Sequence, residues 1–178
     1  MTTSDFTSFE RLQTAVDAAG VGTWDYDLVA DTLAWSPRCK EIFGVPLENE
    51  VTYADFVALV HPDDRATTVA AVEQAFDPAG SGSYDIEYRT RWQLPGQPTL
   101  WARATGRAFF NEARTKVYRF IGTISDVTAM RQLQEQLTRS YQDLEVKVTF
   151  RNLELEREVQ RLRAQLTAAA PAASEAGK

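Results

Sequence analysis

The sequence predicts an α+β domain, a five-stranded antiparallel sheet with its helices grouped on one face, followed by one long helix. Three observations carry this. Two short strand-like segments, three helical segments and three long strand-like segments follow one another in that order. The three long segments alternate apolar with polar residues, the period-2 signature of half-buried strands. After them, apolar residues recur at steps of three and four from Met130 to Leu166, and no glycine or proline interrupts the run before Pro171.

The elements follow in chain order. Phe6, Phe9, Leu12, Val16 and Ala19 are spaced for a short amphipathic helix that Gly20 ends, so residues 1–19 form an N-terminal helical segment. Thr23 to Leu28 alternates as a strand, Ala30-Asp31 turns, and Thr32 to Trp35 is a second short strand. Ser36-Pro37 is the favoured order of cap and first-turn proline, and the helix it opens stops at Gly44. Thr52 to Val60 is a small helix. His61-Pro62 starts a longer one that ends near Phe76, and residues 77–82 are loop by composition.

Three strands then run from Tyr84 to Trp92, Thr99 to Phe110 and Lys116 to Asp126. Their alternation assigns faces. Tyr84, Ile86, Tyr88 and Trp92 share one side of the first. Leu100, Ala102, Ala104, Gly106 and Ala108 share one side of the second, and Tyr118, Phe120, Gly122 and Ile124 one side of the third. The opposite face carries Asp85, Glu87, Arg89, Arg103, Arg107 and Arg119, charges able to pair between strands.

The long helix, residues 129–166, presents Leu133, Leu137, Tyr141, Leu144, Val148, Leu155, Val159, Leu162 and Leu166 as one narrow stripe. Such a seam needs a partner helix, which makes a coiled coil and a homodimer the expectation. The steps Leu137 to Tyr141 and Val148 to Asn152 break the strict heptad, and Arg151 and Asn152 put polar groups at the seam, a pattern that locally unwinds a supercoil. The Phe6–Val16 helix and the outer sheet face, with Trp101 as an anchor, are a second expected dimer contact. The Ala- and Pro-containing tail 167–178 reads as disordered.

Charge is uneven. Residues 1–128 hold 11 Lys/Arg against 18 Asp/Glu, whereas residues 129–166 hold 7 against 6. An acidic body without a basic face argues against nucleic acid as a partner. One cysteine, Cys39, excludes an intramolecular disulfide and a cysteine-built metal centre. No membrane-length apolar stretch and no basic-apolar leader are visible, so a cytoplasmic location is expected.

Several stretches resemble, in order, one family. Gly22-Thr23-Trp24-Asp25-Tyr26-Asp27-Leu28 looks like its opening strand. Trp35-Ser36-Pro37-Arg38 with Ile42-Phe43-Gly44-Val45 looks like its second strand and first helix. Val60-His61-Pro62-Asp63-Asp64-Arg65 is similar to its "HPDD" helix start. Glu87-Tyr88-Arg89 and Leu100-Trp101 stand where it often has "EYR" and "RW", and Ile121 to Thr128 resembles its closing, PAC-like "IGxxxDIT". The family is the PAS domain of bacterial sensors, and the resemblance covers about Gly20 to Thr128. Leu144 through Leu155 also resembles the coiled-coil linkers that follow such domains in the histidine kinases of two-component systems and in diguanylate cyclases. The resemblance implies sensing and relay: a small ligand held between sheet and helices, or dimerisation alone, with the output in a neighbouring domain.

The candidate sites follow from both readings. Ala102, Ala104, Gly106 and Gly122 leave volume at the sheet centre. Either a ligand occupies it, framed by Ile42, Phe56, Leu59, Ile86, Tyr88, Ala104, Gly106, Phe120 and Ile124, or Trp24 and helix side chains fill it. The filled core is preferred because interiors pack to near-crystal density. A ligand, if held, is apolar or aromatic, since few inward groups are polar. No cofactor and no metal are favoured. Haem-binding relatives place a histidine on the helix facing the sheet, whereas His61 stands at a helix start. The flavin branch carries its cysteine in an Asn-Cys-Arg-Phe-Leu-type helix, unlike Pro37-Arg38-Cys39-Lys40-Glu41, and its flavin-contacting glutamine falls at Ile124. Asp63 and Asp64 read as favourable charge on a first helical turn. Asp126 and Thr128, at the junction of last strand and long helix, are the expected coupling point. Catalysis is not expected, because no polar constellation converges on a cleft.

Overall fold

The computed structural model describes residues 7–91, 94–96 and 98–169. Phe6, Trp92 and residues 170–178 lie outside the described residues, as does the side chain of Phe9. Helix α1 (Ser8–Ala18) opens with a reciprocal capping box between Thr7 and Glu10, and Gly20 follows it at φ +66°. Strands β1 (Gly22–Asp27) and β2 (Thr32–Trp35) form a hairpin. Its turn is held by the Asp27 carboxylate, which accepts from the N–H groups of Val29 and Ala30.

Three helices follow. In α2 (Pro37–Phe43) the Ser36 hydroxyl accepts from the Cys39 N–H, and Gly44 ends the helix at φ +72°. Helix α3 (Tyr53–Leu59) has its own capping box, Thr52 with Asp55, and none of its residues is fully buried. Helix α4 (Pro62–Phe76) is capped by the His61 side chain. Strands β3 (Ser83–Thr90), β4 (Leu100–Phe110) and β5 (Val117–Asp126) complete one sheet of order β2-β1-β5-β4-β3, antiparallel throughout. Closing β5 beside β1 puts the last strand in the middle of the sheet, so the residue after it emerges from a fully paired strand.

One face of the sheet is the core. Cys39, Ile42, Phe43 and Val60 from the helical layer meet Trp24, Tyr84, Tyr88, Ala104, Phe120 and Ile124 from the strands, all 8% exposed or less. Strand β3 ends at Thr90, and the alternation predicted for β3 as far as Tyr88, for β4 and for most of β5 holds. It fails at one place: Tyr118 is 44% exposed and Val117 packs on the core instead. A register shift between Phe109 and Phe110 is the reason, because an extra residue on one strand reverses the side-chain alternation beyond it. On the outer face the expected charge pairs form on diagonals, with Arg103 on Asp85 (2.9 and 2.7 Å) and Arg119 on Asp25 (2.9 and 2.6 Å).

The chain divides into two compact units, residues 1–131 and residues 132–178. Helix α5 (Thr128–Ala169) begins in the first and makes up the described part of the second. It extends three residues past the expected end, through Thr167-Ala168-Ala169, where alanine favours helix. Along it every residue of the expected stripe is exposed, from 44% at Leu155 to 73% at Leu166. Helix α1 is alike in this respect, with Leu12 66% exposed. Among the described residues no helix is long and apolar enough to cross a membrane.

Candidate functional site

The pairing registers place Trp35, Trp24, Gly122, Gly106 and Tyr84 side by side across all five strands. The two central glycines form a saddle for the Trp24 indole. A methyl added at Gly106 would stand 2.5 Å from the ring, and one at Gly122 would also strike it and the Thr105 carbonyl. The indole N–H donates to the Thr123 carbonyl at 3.2 Å, which satisfies its one polar atom. Trp24 therefore fills the centre of the sheet. Beside it lies a cavity of about 40 Å³, enough for a few water-sized spheres.

The cavity wall is aromatic. Trp24, Trp35, Phe43, Tyr53, Phe56, Tyr84, Tyr88 and Phe120 line it with Tyr26, Leu33, Cys39, Val72 and Ala104. The rings brace one another: Trp35 stacks on Phe43 at 4.4 Å, Tyr26 on Tyr53 at 5.7 Å, and Phe120 meets Trp24 at 4.6 Å and Tyr84 at 5.3 Å edge to face. No lining side chain is acidic or basic. Burial pushes the Tyr84 and Tyr88 hydroxyls and the Cys39 thiol upward in pKa, so all three stay neutral. The Tyr26 hydroxyl, donated to Asp31 at 2.7 Å, is pushed to about 12, by burial first and then by that carboxylate. The Tyr84 hydroxyl is buried and has no hydrogen-bond partner among the described residues.

Of the residues expected to frame a pocket, Phe56, Tyr88, Ala104 and Phe120 line this cavity. Ile42 and Ile124 are buried in the surrounding core, Leu59 and Ile86 pack against it, and Gly106 lies under Trp24. Trp35, Phe43, Tyr53 and Tyr84 line it without having been named for it. Tyr84 was placed on the inward face by its alternation, but nothing local marks the other three as neighbours of one space.

The cavity holds about 40 Å³. His61 is not among its lining residues. It caps α4 instead, its Nδ1 accepting from the Asp63 N–H at 3.3 Å. Cys39 does line the cavity, but as a buried thiol that burial keeps neutral.

A second cluster surrounds the first turn of α5. The Trp101 N–H donates to Thr128 Oγ1 at 2.9 Å, and the Trp101 carbonyl accepts from the Val127 N–H at 2.8 Å. The Thr128 N–H donates to Asp126 Oδ1 at 2.9 Å. Both expected coupling residues thus hold backbone at the helix start. Arg131 adds two contacts: its guanidinium lies 4.2 Å from the Trp101 ring centre and its Nε donates to Glu87 at 2.7 Å. On the same indole, 5.5 Å away, lies Arg89.

Arg89 leads back to α4. The Asp64 carboxylate accepts from Arg89 Nε (2.9 Å), from its terminal nitrogen (2.8 Å) and from its backbone N–H (2.9 Å), and Asp63 adds a contact at 3.2 Å. The guanidinium of Arg89 is the main reason that the Asp64 carboxyl is held below the usual aspartate range. The first turn of α4 and the first turn of α5 are therefore linked through Asp64, Arg89, Trp101 and Thr128. Of these four residues the sequence marks only Thr128 for the helix junction; it marks Asp64 as charge on a first helical turn and Trp101 as a dimer anchor.

Comparison with known proteins agrees with this architecture. A family profile described as "PAS fold" matches residues 32–124. Sensor protein FixL of Bradyrhizobium diazoefficiens is 27% identical over 129 residues, 72% of this chain and 24% of that protein. A blue-light-activated histidine kinase of Brucella anthropi is 28% identical over 121 residues, 68% of this chain and 23% of that protein. Among solved structures, a sensory box histidine kinase/response regulator from Burkholderia thailandensis is 33% identical, with a TM-score of 0.61, over 76% of this chain and 98% of the solved one. The chain spans a quarter or less of the length of the curated relatives it matches.

Proposed function

Because the chain belongs to the PAS family, we propose that it is a sensory and dimerisation module that relays the state of its core along a parallel coiled coil to an output domain of the kind its relatives carry. The observation that carries this reading is the attachment of the helix root. Trp101 holds Val127 and Thr128 through its backbone, and Glu87 holds Arg131. A change in sheet twist or in the seat of α4 then moves the start of the same helix that bears the stripe Leu133, Leu137, Tyr141, Leu144, Val148, Leu155, Val159, Leu162 and Leu166.

The exposure of that stripe supports a homodimer, because nine large apolar residues in one seam are covered at low cost only by a second copy. Helix α1, with Leu12 exposed, is the second contact. The polar positions Arg151 and Asn152 fix register where the apolar seam is weakest. A reducing, cytoplasmic setting suits the single buried cysteine. Replacing Leu144 and Val148 together by lysine should convert dimers to monomers in analytical ultracentrifugation of the full chain. Dimers that survive the double change defeat the coiled-coil relay.

A ligand-free dimerisation module is the rival. The Trp24 indole seated on Gly106 and Gly122 favours it, since that ring already takes most of the space at the sheet centre. The cavity beside the ring separates the two readings.

A further inference from the structure

We infer that the start of α4 is a proton-operated joint. Uptake of a proton by the His61 imidazole breaks the cap of that helix, draws the Asp63 carboxylate from Arg89 to the ring, and is felt through Arg89 at the root of α5. This deepens the relay reading, and its last step rests on it. The cap is the first observation. His61 Nδ1 accepts from the Asp63 N–H at 3.3 Å, which only an unprotonated nitrogen can do. Helices α1, α2 and α3 are capped by the hydroxyls of Thr7, Ser36 and Thr52, which stay acceptors at every ordinary pH. Helix α4 is capped instead by the one histidine of the chain, the side-chain type that ordinarily changes charge between about pH 5 and 8.

The second is a shared oxygen. Asp63 Oδ2 lies 3.5 Å from His61 Nδ1 and 3.2 Å from the Arg89 guanidinium. A proton taken from solvent turns Nδ1 from acceptor into donor, and the oxygen that Arg89 holds is then a carboxylate acceptor within its reach. On its own helix the ring faces Asp63 and Asp64, and on β3 it faces Arg89. Arg65 donates to the Val60 carbonyl and Arg91 to the Glu41 carbonyl. Asp55, the charged residue of α3, is engaged with Thr52 at the start of that helix.

The lost cap and the gained ion pair do not cancel. The Asp63 side chain is 71% exposed, and an exposed pair contributes little. An imidazolium at a helix N-terminus also opposes the helix dipole. The first turn of α4 therefore loosens at the Asp63 N–H, while Asp64 keeps its three contacts with Arg89. That turn is joined to β3 at Arg89, whose carbonyl accepts from the His61 N–H at 2.9 Å and whose guanidinium lies 5.5 Å from the Trp101 ring centre. Trp101 in turn holds Val127 and Thr128. A proton at His61 thereby changes the surroundings of the residue that seats α5.

The experiment is proton–nitrogen NMR of the full chain, titrated from about pH 8 to about pH 5.5 with the His61 ring followed in the same samples. As the ring takes up its proton, the Asp63 amide proton should move upfield, the sign of a lost hydrogen bond. The Arg89 Nε–H and the Trp101 backbone N–H should shift with the same midpoint as the ring. His61→Asn supplies a cap that does not titrate in this range, so it should hold all three resonances at their positions of pH 8. A melt close to that of the parent at pH 8 shows that this variant was tested folded. The joint is refuted by a ring that stays neutral to pH 5.5, by an Asp63 amide that ignores the ring, by Arg89 or Trp101 resonances that do not follow it, or by the same shifts in His61→Asn. Any of these would leave the coiled-coil relay standing, since that is read from the oligomeric state and not from the titration of α4.

Discussion

The sheet core and helix α5 use the same kinds of residue to opposite ends. Trp24, Phe43, Tyr88 and Phe120 are all under 10% exposed, whereas Leu133, Tyr141, Leu144 and Leu166 are each more than half exposed. In the core each ring has its partners within the chain, through strand registers that bring five residues into one row. On α5 a period of three and four puts every apolar side chain on one narrow seam, and a single helix has nothing to fold that seam against. Stability in the first region is therefore intramolecular, while under the proposed dimer stability in the second depends on protein concentration. Perturbations should sort accordingly: core changes move the melting temperature and leave the association constant alone, and stripe changes do the reverse.

The largest expected effect is at the glycine saddle. Gly106→Val places branched carbon where the Trp24 ring and the Ile121 carbonyl already stand. Cores resist overpacking at a cost of 1–3 kcal/mol even where side chains can shift, and here backbone is in the way, so a loss of about 3 kcal/mol or more is expected. Thermal unfolding followed by circular dichroism measures it. A melt within a degree or two of the parent would mean that Trp24 is free to leave the saddle and that the core is less determined than its contacts imply.

Next comes the clasp between α4 and β3. Asp64→Asn keeps the shape and removes the charge, leaving the Arg89 guanidinium short of its main acceptor. A loss of about 2 kcal/mol at neutral pH is expected, as for hydrogen bonds to a charged group. The pH dependence follows from the depressed carboxyl. Its contribution is complete above the ordinary aspartate pKa of about 3.9 and is lost as pH falls through the lower folded value, because below that both states bind the proton. The stability gap between parent and variant should therefore be flat from neutral pH down to about pH 5 and close in stronger acid. A gap that persists unchanged at pH 2.5 would assign the effect to packing.

What the sequence disclosed, and what it withheld, divides along the same line. Local signals were sufficient for the elements: Ser36-Pro37 and Gly44 bound α2, Thr52 caps α3, and the period of α5 is read directly. They were also sufficient for Asp126, whose carboxylate accepts from the N–H two residues on, whereas the Thr128 hydroxyl finds its donor at Trp101, 27 residues back. They were insufficient where a partner is far along the chain. Asp64 looks like any acidic first-turn residue, and nothing in its neighbourhood says that its partner stands 25 residues later. The cavity wall is similar, since Trp35, Phe43 and Tyr53 come from three elements whose meeting is fixed by sheet order. Tyr118 was placed on the wrong face because a one-residue irregularity at Phe109/Phe110 has no composition of its own.

The smallest effect is expected at the boundary between the two regions, where it is also the most informative. Thr128→Val preserves the shape of the side chain and removes the oxygen that accepts the Trp101 N–H. One hydrogen bond is worth about 1 kcal/mol, so global melting should hardly change. Among the described residues the first turn of α5, however, is held by the Trp101 contacts, Asp126 and Arg131, and local opening is governed by such small terms. Amide hydrogen exchange should therefore accelerate severalfold at Trp101 and Arg131 while Tyr88 and Ile124 keep the parent rate. Thr128→Ser, which retains the hydroxyl, should restore slow exchange. If Thr128→Val and Thr128→Ser exchange alike, the hydroxyl does not seat the helix, and the root is held by packing on Trp101 and by Arg131 on Glu87.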